Sequence, residues 1–495
     1  MKTNNRALST TTKDQTKVIL ITGIIILLLQ LTFHLAVDAK SLPHFQSSTP
    51  DSIQIELSKQ LNSPTVLKQL NFPNTVKRFY LSNTFEASWL RPAQDIAPTV
   101  SAMLLLDCVR QYGLQPTTYH PQLLDYAQLY AVLSTEKRLS AQQKVEFELM
   151  LTDAMISMIN HLHFGAYNPY LSSLAIDQGI AGQLKADDFL RNAINSSNLM
   201  DTILTVQPKF EQYQQLQSYM RLIAGQYTCD SYETPEREVR SIALNMERLR
   251  WINWTSGSFV HINIPSFTLT YQQADTTYGF KVVVGKEKTP SPTLQSQINY
   301  LETAPDWKVP KSIFVKELIP KALKDSTYFD QNHIAVYDRQ ENLVTIGKSS
   351  LNSIKLHPEH YHAKQTAGCD NALGKVVFRF PNAFDIYLHD SPEQQLFKNT
   401  NRAYSHGCIR VEKAALLAEL LLKADGQPSK TANLQTAMKG YVKKNFPLKN
   451  PIPIIITYLT CTVREGMLQF HNDLYQLDND LMIKIYGKPE QLTKN

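Results

Sequence analysis

"REVRSIALNMERLRWINWTSGSFVHINIPSFTLTYQ", residues 237–272, changes its periodicity half-way along. In the first half Ile242, Met246 and Leu249 recur at steps of four and three, the spacing of one helix face. In the second half Val260, Ile262 and Ile264 alternate with His261 and Asn263, the period of a half-buried strand. The chain therefore turns from helical to β-rich here. Helices gathered on one side of this point and strands on the other predict a multidomain α+β protein rather than alternating β-α-β units.

Upstream, "TVSAMLLLDCVRQYGL", "QQKVEFELMLTDAMISMINHLHFG" and "KFEQYQQLQSYMRLIAGQY" repeat apolar residues at helical spacing, and glycine ends several of the runs. They predict a helical domain over 45–228. The polar, proline-bearing stretch 229–241 marks a boundary, so 229–257 reads as a linker and bridging helix. Downstream, "YGFKVVVGK", "GKVVFRF", "DIYLHD" and "PIPIIITYLTCTV" continue the strand character, with "KAALLAELLLKA" as an inserted helix; a second domain is expected over 258–485. Residues 305–370 read as irregular and too long for a plain connection, which suggests a lid or insertion.

At 495 residues with 43% apolar content the chain can bury more than one core. A net charge of +6 without a basic run beyond the N-terminus argues against nucleic-acid binding. The apolar run 18–37 follows Lys2, Arg6, Lys13 and Lys17, so residues 1–17 read as a cytoplasmic tail and 18–37 as a span. It exceeds the apolar core of a usual signal peptide, which favours an uncleaved anchor over a cleaved leader and places the remainder outside the inner membrane. Cys108, Cys229, Cys369, Cys408 and Cys461 show no paired spacing. In an oxidising compartment one of the five must stay a thiol.

Cys408 is the thiol with reactive company. It lies in "SHGC", where Gly407 allows a tight backbone approach and neighbouring amides could form an oxyanion pocket. His389, at the end of "DIYLHD", could serve as base from a rigid strand end, with Asp390 holding its ring. His406 competes for that role on spacing alone, or ties the turn structurally. Arg410 suits a substrate carboxylate, or is an ordinary surface arginine. "HPEHYH" (His357, His360, His362) has ligand-like spacing but sits in the insertion, so no metal site and no cofactor is expected. The aromatic clusters "FYLSNTF" and "RWINW" read as core packing rather than a sugar platform.

Residues 371–422, "NALGKVVFRFPNAFDIYLHDSPEQQLFKNTNRAYSHGCIRVEKAALLAELLL", resemble the catalytic core of the YkuD-type L,D-transpeptidases: a His, a spacer, then Ser-His-Gly-Cys. "FYLSNTFEASWL", "LTDAMISMINHLHFGAYNP", "IALNMERLRW", "DWKVPKSIFVKELIPK" and "IPIIITYLTCTV" are similar to landmarks of the large periplasmic YcbB-like subgroup. The resemblance implies a cysteine-dependent acyltransferase that joins peptidoglycan stem peptides in the periplasm and is acylated by carbapenems. It implies Cys408 as nucleophile and His389 as acid/base, oriented by the backbone carbonyl of Asp390. His406, Gly407 and Ser405 would then shape the pocket and oxyanion hole, and Arg410 and Tyr404 would bind substrate. Residues 305–370 would cap the site. Members commonly carry a peptidoglycan-binding module after the helical scaffold, whereas residues 224–241 leave no room for one. A hydrolytic peptidase and a non-catalytic scaffold are the alternatives.

Overall fold

The computed structural model describes residues 50–90, 96–134, 139–225, 236–253, 257–273 and 276–488. The expected anchor, 18–37, lies outside them, as does Cys229. Among the described residues no helix is long and apolar enough to cross a membrane. The described residues fall into two compact bodies, one ending at Met103 and resuming over 120–153, the other comprising 104–119 and everything from Ala154 onward.

The first body is helical, with Leu57, Val76, Phe79, Tyr80 and Trp89 in its core. Two buried carboxylates organise it. Glu148 accepts from the amides of Ser88, Trp89 and Leu90 and from the Tyr80 hydroxyl. Asp153 takes the amides of Asn71 and Phe72, and the His120 ring. A buried carboxylate is tolerable only when its lone pairs are filled, and here the fillers are connecting segments that would otherwise leave their own amides orphaned.

The second body joins helices Glu211–Gly225 and Glu236–Arg250 to a β-rich domain. Its strands are β1 (Phe259–Asn263), β2 (Thr268–Gln273), β3 (Thr276–Gly285), β4 (Leu294–Thr303), β5 (Trp307–Lys308), β6 (Ile334–Tyr337), β7 (His362–Gln365), β8 (Val376–Arg379), β9 (Leu388–His389), β10 (Ala403–Ser405), β11 (Ile409–Val411), β12 (Lys444–Thr457), β13 (Cys461–Arg464) and β14 (Met467–Phe470). Strands β3, β11, β9, β8, β4, β12, β1 and β2 pair in that order, and β2 returns to β3, so the sheet closes on itself without a free edge. The long strand β3 changes partners along its length: β2 pairs with its first half, and β11 and β10 with its end. The β4–β12 ladder shifts register between Pro447 and Ile452, where prolines cannot donate. Val260, Ile262, Leu269, Val282, Ile298 and Phe378 belong to one core cluster, shared by Leu417 and Leu421 of helix Ala414–Ala424. Asn245 ties the bridging helix to this domain, exchanging bonds with the amide and hydroxyl of Thr460.

Two expectations change. Residues 305–370 are ordered, not irregular: β5, β7 and β6 form a small sheet, and Phe314, Phe329, Ile354 and Ala363 belong to a core of its own. Its strands run two to four residues, too short for period two to register, and its longest helical run, 311–324, is interrupted by a π-helical turn at Phe314–Leu318 that breaks the helical period. The strand expected over "DIYLHD" shrinks to Leu388–His389.

Candidate active site

Strands β9 and β11 lie side by side and parallel, with Leu388 opposite Ile409 and His389 opposite Arg410. Leu388, Ile409 and Val411 are fully buried in the core. Period-two alternation then assigns Tyr387, His389, Cys408 and Arg410 to the other face. The register is held where it matters, since the amide of Ile409 donates to the carbonyl of Tyr387 at 3.2 Å.

The His389 ring is buried, and its Nδ1 donates to the carbonyl of Asp390 at 2.6 Å. That bond leaves Nε2 as the basic nitrogen of the neutral ring. Burial above all, and then the Arg410 charge, push its pKa down to about 3. The Asp390 carboxylate does not hold the ring; it accepts from the amide of Lys375 at 2.9 Å, and burial raises its pKa.

The Cys408 thiol is also pushed up from its ordinary value, mainly by burial, against which a hydrogen bond from the Tyr387 hydroxyl and the charge of Arg379 act. Both shifts favour the neutral form of their group, thiol and imidazole alike. Tyr387 touches both groups: its hydroxyl meets the Cys408 sulfur and its ring meets His389 edge-on, with centroids 5.8 Å apart, while the Arg379 guanidinium covers it at 4.6 Å. Arg379 is itself anchored to Glu302 at 3.0 Å.

The turn carrying Cys408 is bound from several sides. Ser405 Oγ donates to the carbonyl of Cys408 at 2.5 Å and accepts from the amide of Gly407 at 3.2 Å. Gly407 has φ +115°, where a side chain is strained. Ser291 Oγ donates to the carbonyl of Gly407 at 2.7 Å and accepts from the amide of Gly285. The Tyr475 hydroxyl closes the ring of bonds, accepting from the Ser291 amide and donating to the carbonyl of Gly285. Thr289 Oγ1 and the Lys286 amide donate to the carbonyl of Ser405. Among the described residues no protein acceptor meets the Cys408 amide.

The two histidines part company. His406 reaches into the insertion and pairs with Glu317 of helix Phe314–Leu318. Arg410 pairs with Glu393 and approaches Ser391 Oγ. The Tyr404 hydroxyl accepts from Asn399 at 3.1 Å on the exposed side. His357 and His360 face Glu359, and His362 faces Glu341. Among the described residues no three metal-ligating side chains converge. Cys108, Cys369, Cys408 and Cys461 are free thiols.

Sequence reasoning overlooked Tyr387, Arg379, Ser291, Tyr475 and Glu317. Tyr387 was within reach, because it precedes His389 by two on a strand and so shares its face. The others come from distant segments, and only the sheet register and the fold of the insertion bring them in.

Residues 257–434 match the YkuD family, described as the L,D-transpeptidase catalytic domain, and residues 74–220 match a scaffold-domain family. A Haemophilus influenzae protein provisionally named as an L,D-transpeptidase is 33% identical over 244 residues, 49% of this chain and 49% of its own. The aligned stretch thus spans about half of that relative's length.

Proposed function

We propose that this chain, which carries an L,D-transpeptidase catalytic domain at residues 257–434, forms 3→3 cross-links between tetrapeptide stems of peptidoglycan through a thioester on Cys408. The observation that carries the reading is the β9–β11 pairing, with Tyr387, His389, Cys408 and Arg410 on one face.

In the first step neutral His389 takes the thiol proton through Nε2 as sulfur attacks the carbonyl of the stem's diamino acid. The Cys408 amide stabilises the oxyanion. The terminal D-Ala leaves with a proton returned by His389, and a thioester remains. In the second step the side-chain amine of a neighbouring stem attacks the thioester, His389 takes its proton, and the thiol is regenerated. The carbonyl of Asp390 keeps the imidazole in the required tautomer throughout and supports the imidazolium form. Ser405 and Gly407 fix the turn, while Arg410, shared with Glu393, and Tyr404 meet the donor stem. A carbapenem would acylate the same sulfur. The span 18–37 would hold the enzyme at the inner membrane with the catalytic domain in the periplasm, and no cofactor is needed.

Mass spectrometry of products from disaccharide-tetrapeptide, run beside Cys408→Ala, tests the reading. A dimer lacking one D-Ala, absent with the variant, is expected. Tripeptide monomer alone would replace cross-linking by hydrolysis, and product formation by the variant would remove the thiol from the mechanism.

A further inference from the structure

A cavity of about 820 Å³ opens in the second body, between residues 167–170 and Trp251 on one side and loop 290–295, the end of β12 and helix Leu477–Tyr486 on the other. The size is that of a ligand site rather than a packing defect. Its lining is aromatic, and two of the rings face solvent: Tyr170 is 62% exposed and Phe384 58%. Trp251, expected to be core, is half-buried here, its Nε1 donating to Glu247 at 3.0 Å.

The groove carries no excess of positive charge: its lining sets Arg248 and Lys484 against Glu287 and Asp480. Arg248 is bound to Asp478 at 2.6 Å and to the carbonyl of Leu477. Asp480 and Lys484 carry opposite signs on one helix. A polyanion finds no net attraction there. What the lining offers instead is flat apolar faces beside neutral hydrogen-bonding groups, namely the Tyr170 and Thr293 hydroxyls, 3.1 Å apart, and the Gln295 amide. Rings that present one apolar face and a rim of hydroxyls and amides fit such a surface.

The groove also shares its wall with the nucleophile turn. Ser291 lines it and holds the carbonyl of Gly407. Pro290 lines it, and its carbonyl lies 3.6 Å from where a Cβ on Gly407 would sit. Phe384 lies three residues before Tyr387. We infer that this groove binds the amino-sugar strand of the substrate, seating the glycan while its stem peptide extends to Cys408. Three residues of extended stem span about 10 Å, so the glycan of a productive donor must lie close to the turn. The inference rests on the transpeptidase reading.

The test is calorimetric titration of the full chain carrying Cys408→Ala with the neutral tetramer of N-acetylglucosamine. Tyr170→Ala with Phe384→Ala, both exposed and so harmless to folding, is compared with the parent. Binding in the parent, weakened tenfold or more in the double variant, is expected. Absence of binding at millimolar sugar, or binding indifferent to the double variant, overturns the groove. No catalysis enters this readout: an enzyme that binds sugar through the groove yet makes no dimer refutes the transpeptidase reading alone, and one that makes dimer with unaltered sugar binding refutes the groove alone.

Discussion

The Ser-His-Gly-Cys turn and the inserted subdomain both meet at His406, yet they are held in opposite ways. The turn is bound by buried and part-buried hydrogen bonds from Ser291, Ser405 and Thr289, with Tyr475 bracing Ser291 and Gly285 behind it. The insertion has a core of its own and reaches the turn through the Glu317–His406 pair, whose side chains are 37% and 31% exposed. Buried networks cost dearly when broken, whereas half-exposed ion pairs contribute little. In the proposed reaction the nucleophile turn would thus keep one geometry while the insertion shifts against it.

The largest effect should come from the reacting pair itself. Cys408→Ala is expected to reduce turnover to background, and His389→Gln to lower kcat by roughly 10²–10⁴, with melting temperatures close to the parent. A fully active His389→Gln would transfer the base role to His406 and erase the contrast between fixed and movable parts. Next in size is Ser291→Ala, which orphans the buried Gly407 carbonyl and Gly285 amide at about 1–3 kcal/mol each. A fall of several degrees in melting temperature and a kcat loss of about tenfold are expected. Unchanged stability would mean that the turn is not held by this clamp.

pH dependence sharpens the same contrast. His389 is neutral at rest because its pKa is depressed to about 3, so its base form persists as pH falls from 7 to 5 and disappears only towards 3. The kcat/KM profile should therefore show no inflection near 6, the usual imidazole range. Because the Cys408 thiol titrates above its ordinary value, iodoacetamide labelling should accelerate only at alkaline pH. A labelling midpoint below 7 would instead indicate a preformed thiolate-imidazolium pair. The smallest effect belongs to Glu317→Gln: under 1 kcal/mol of stability, a KM change of a few fold with kcat held, and convergence with the parent at high salt. A kcat loss as large as that of Ser291→Ala would show the cover to be part of the clamp.

How legible this was varies with length scale. The β-rich character of the second domain was foreshadowed by the alternation in β1, β2, β3 and β12, because those strands are long enough for period two to register, whereas the closure of their sheet was not. Cys408 and His389 stood out for their chemistry. The insertion looked structureless because its strands are a few residues long and its core draws only two or so residues from most of its elements. Ser291 and Tyr475 carry no local sign at all: a serine in a Thr-Pro-Ser-Pro loop and a tyrosine near the C-terminus acquire their roles only through register. Arg410 shows the converse, since its sequence context suggested a ligand carboxylate and the fold supplies Glu393 first.

One small junction has a wider consequence. The chain leaves β4 at Thr303, which pairs with Val376, and the amide of Ala304 donates to the carbonyl of Lys375. Fully buried Asn371 reaches with one amide nitrogen to the carbonyls of Pro305, Gln365 and Thr366, gathering the entry and exit of the insertion at a single point. Two ends so close could be rejoined by a tight turn at little entropic cost. Residues 305–370 are in this sense a cassette: a piece with a core of its own, plugged into the barrel through one neck.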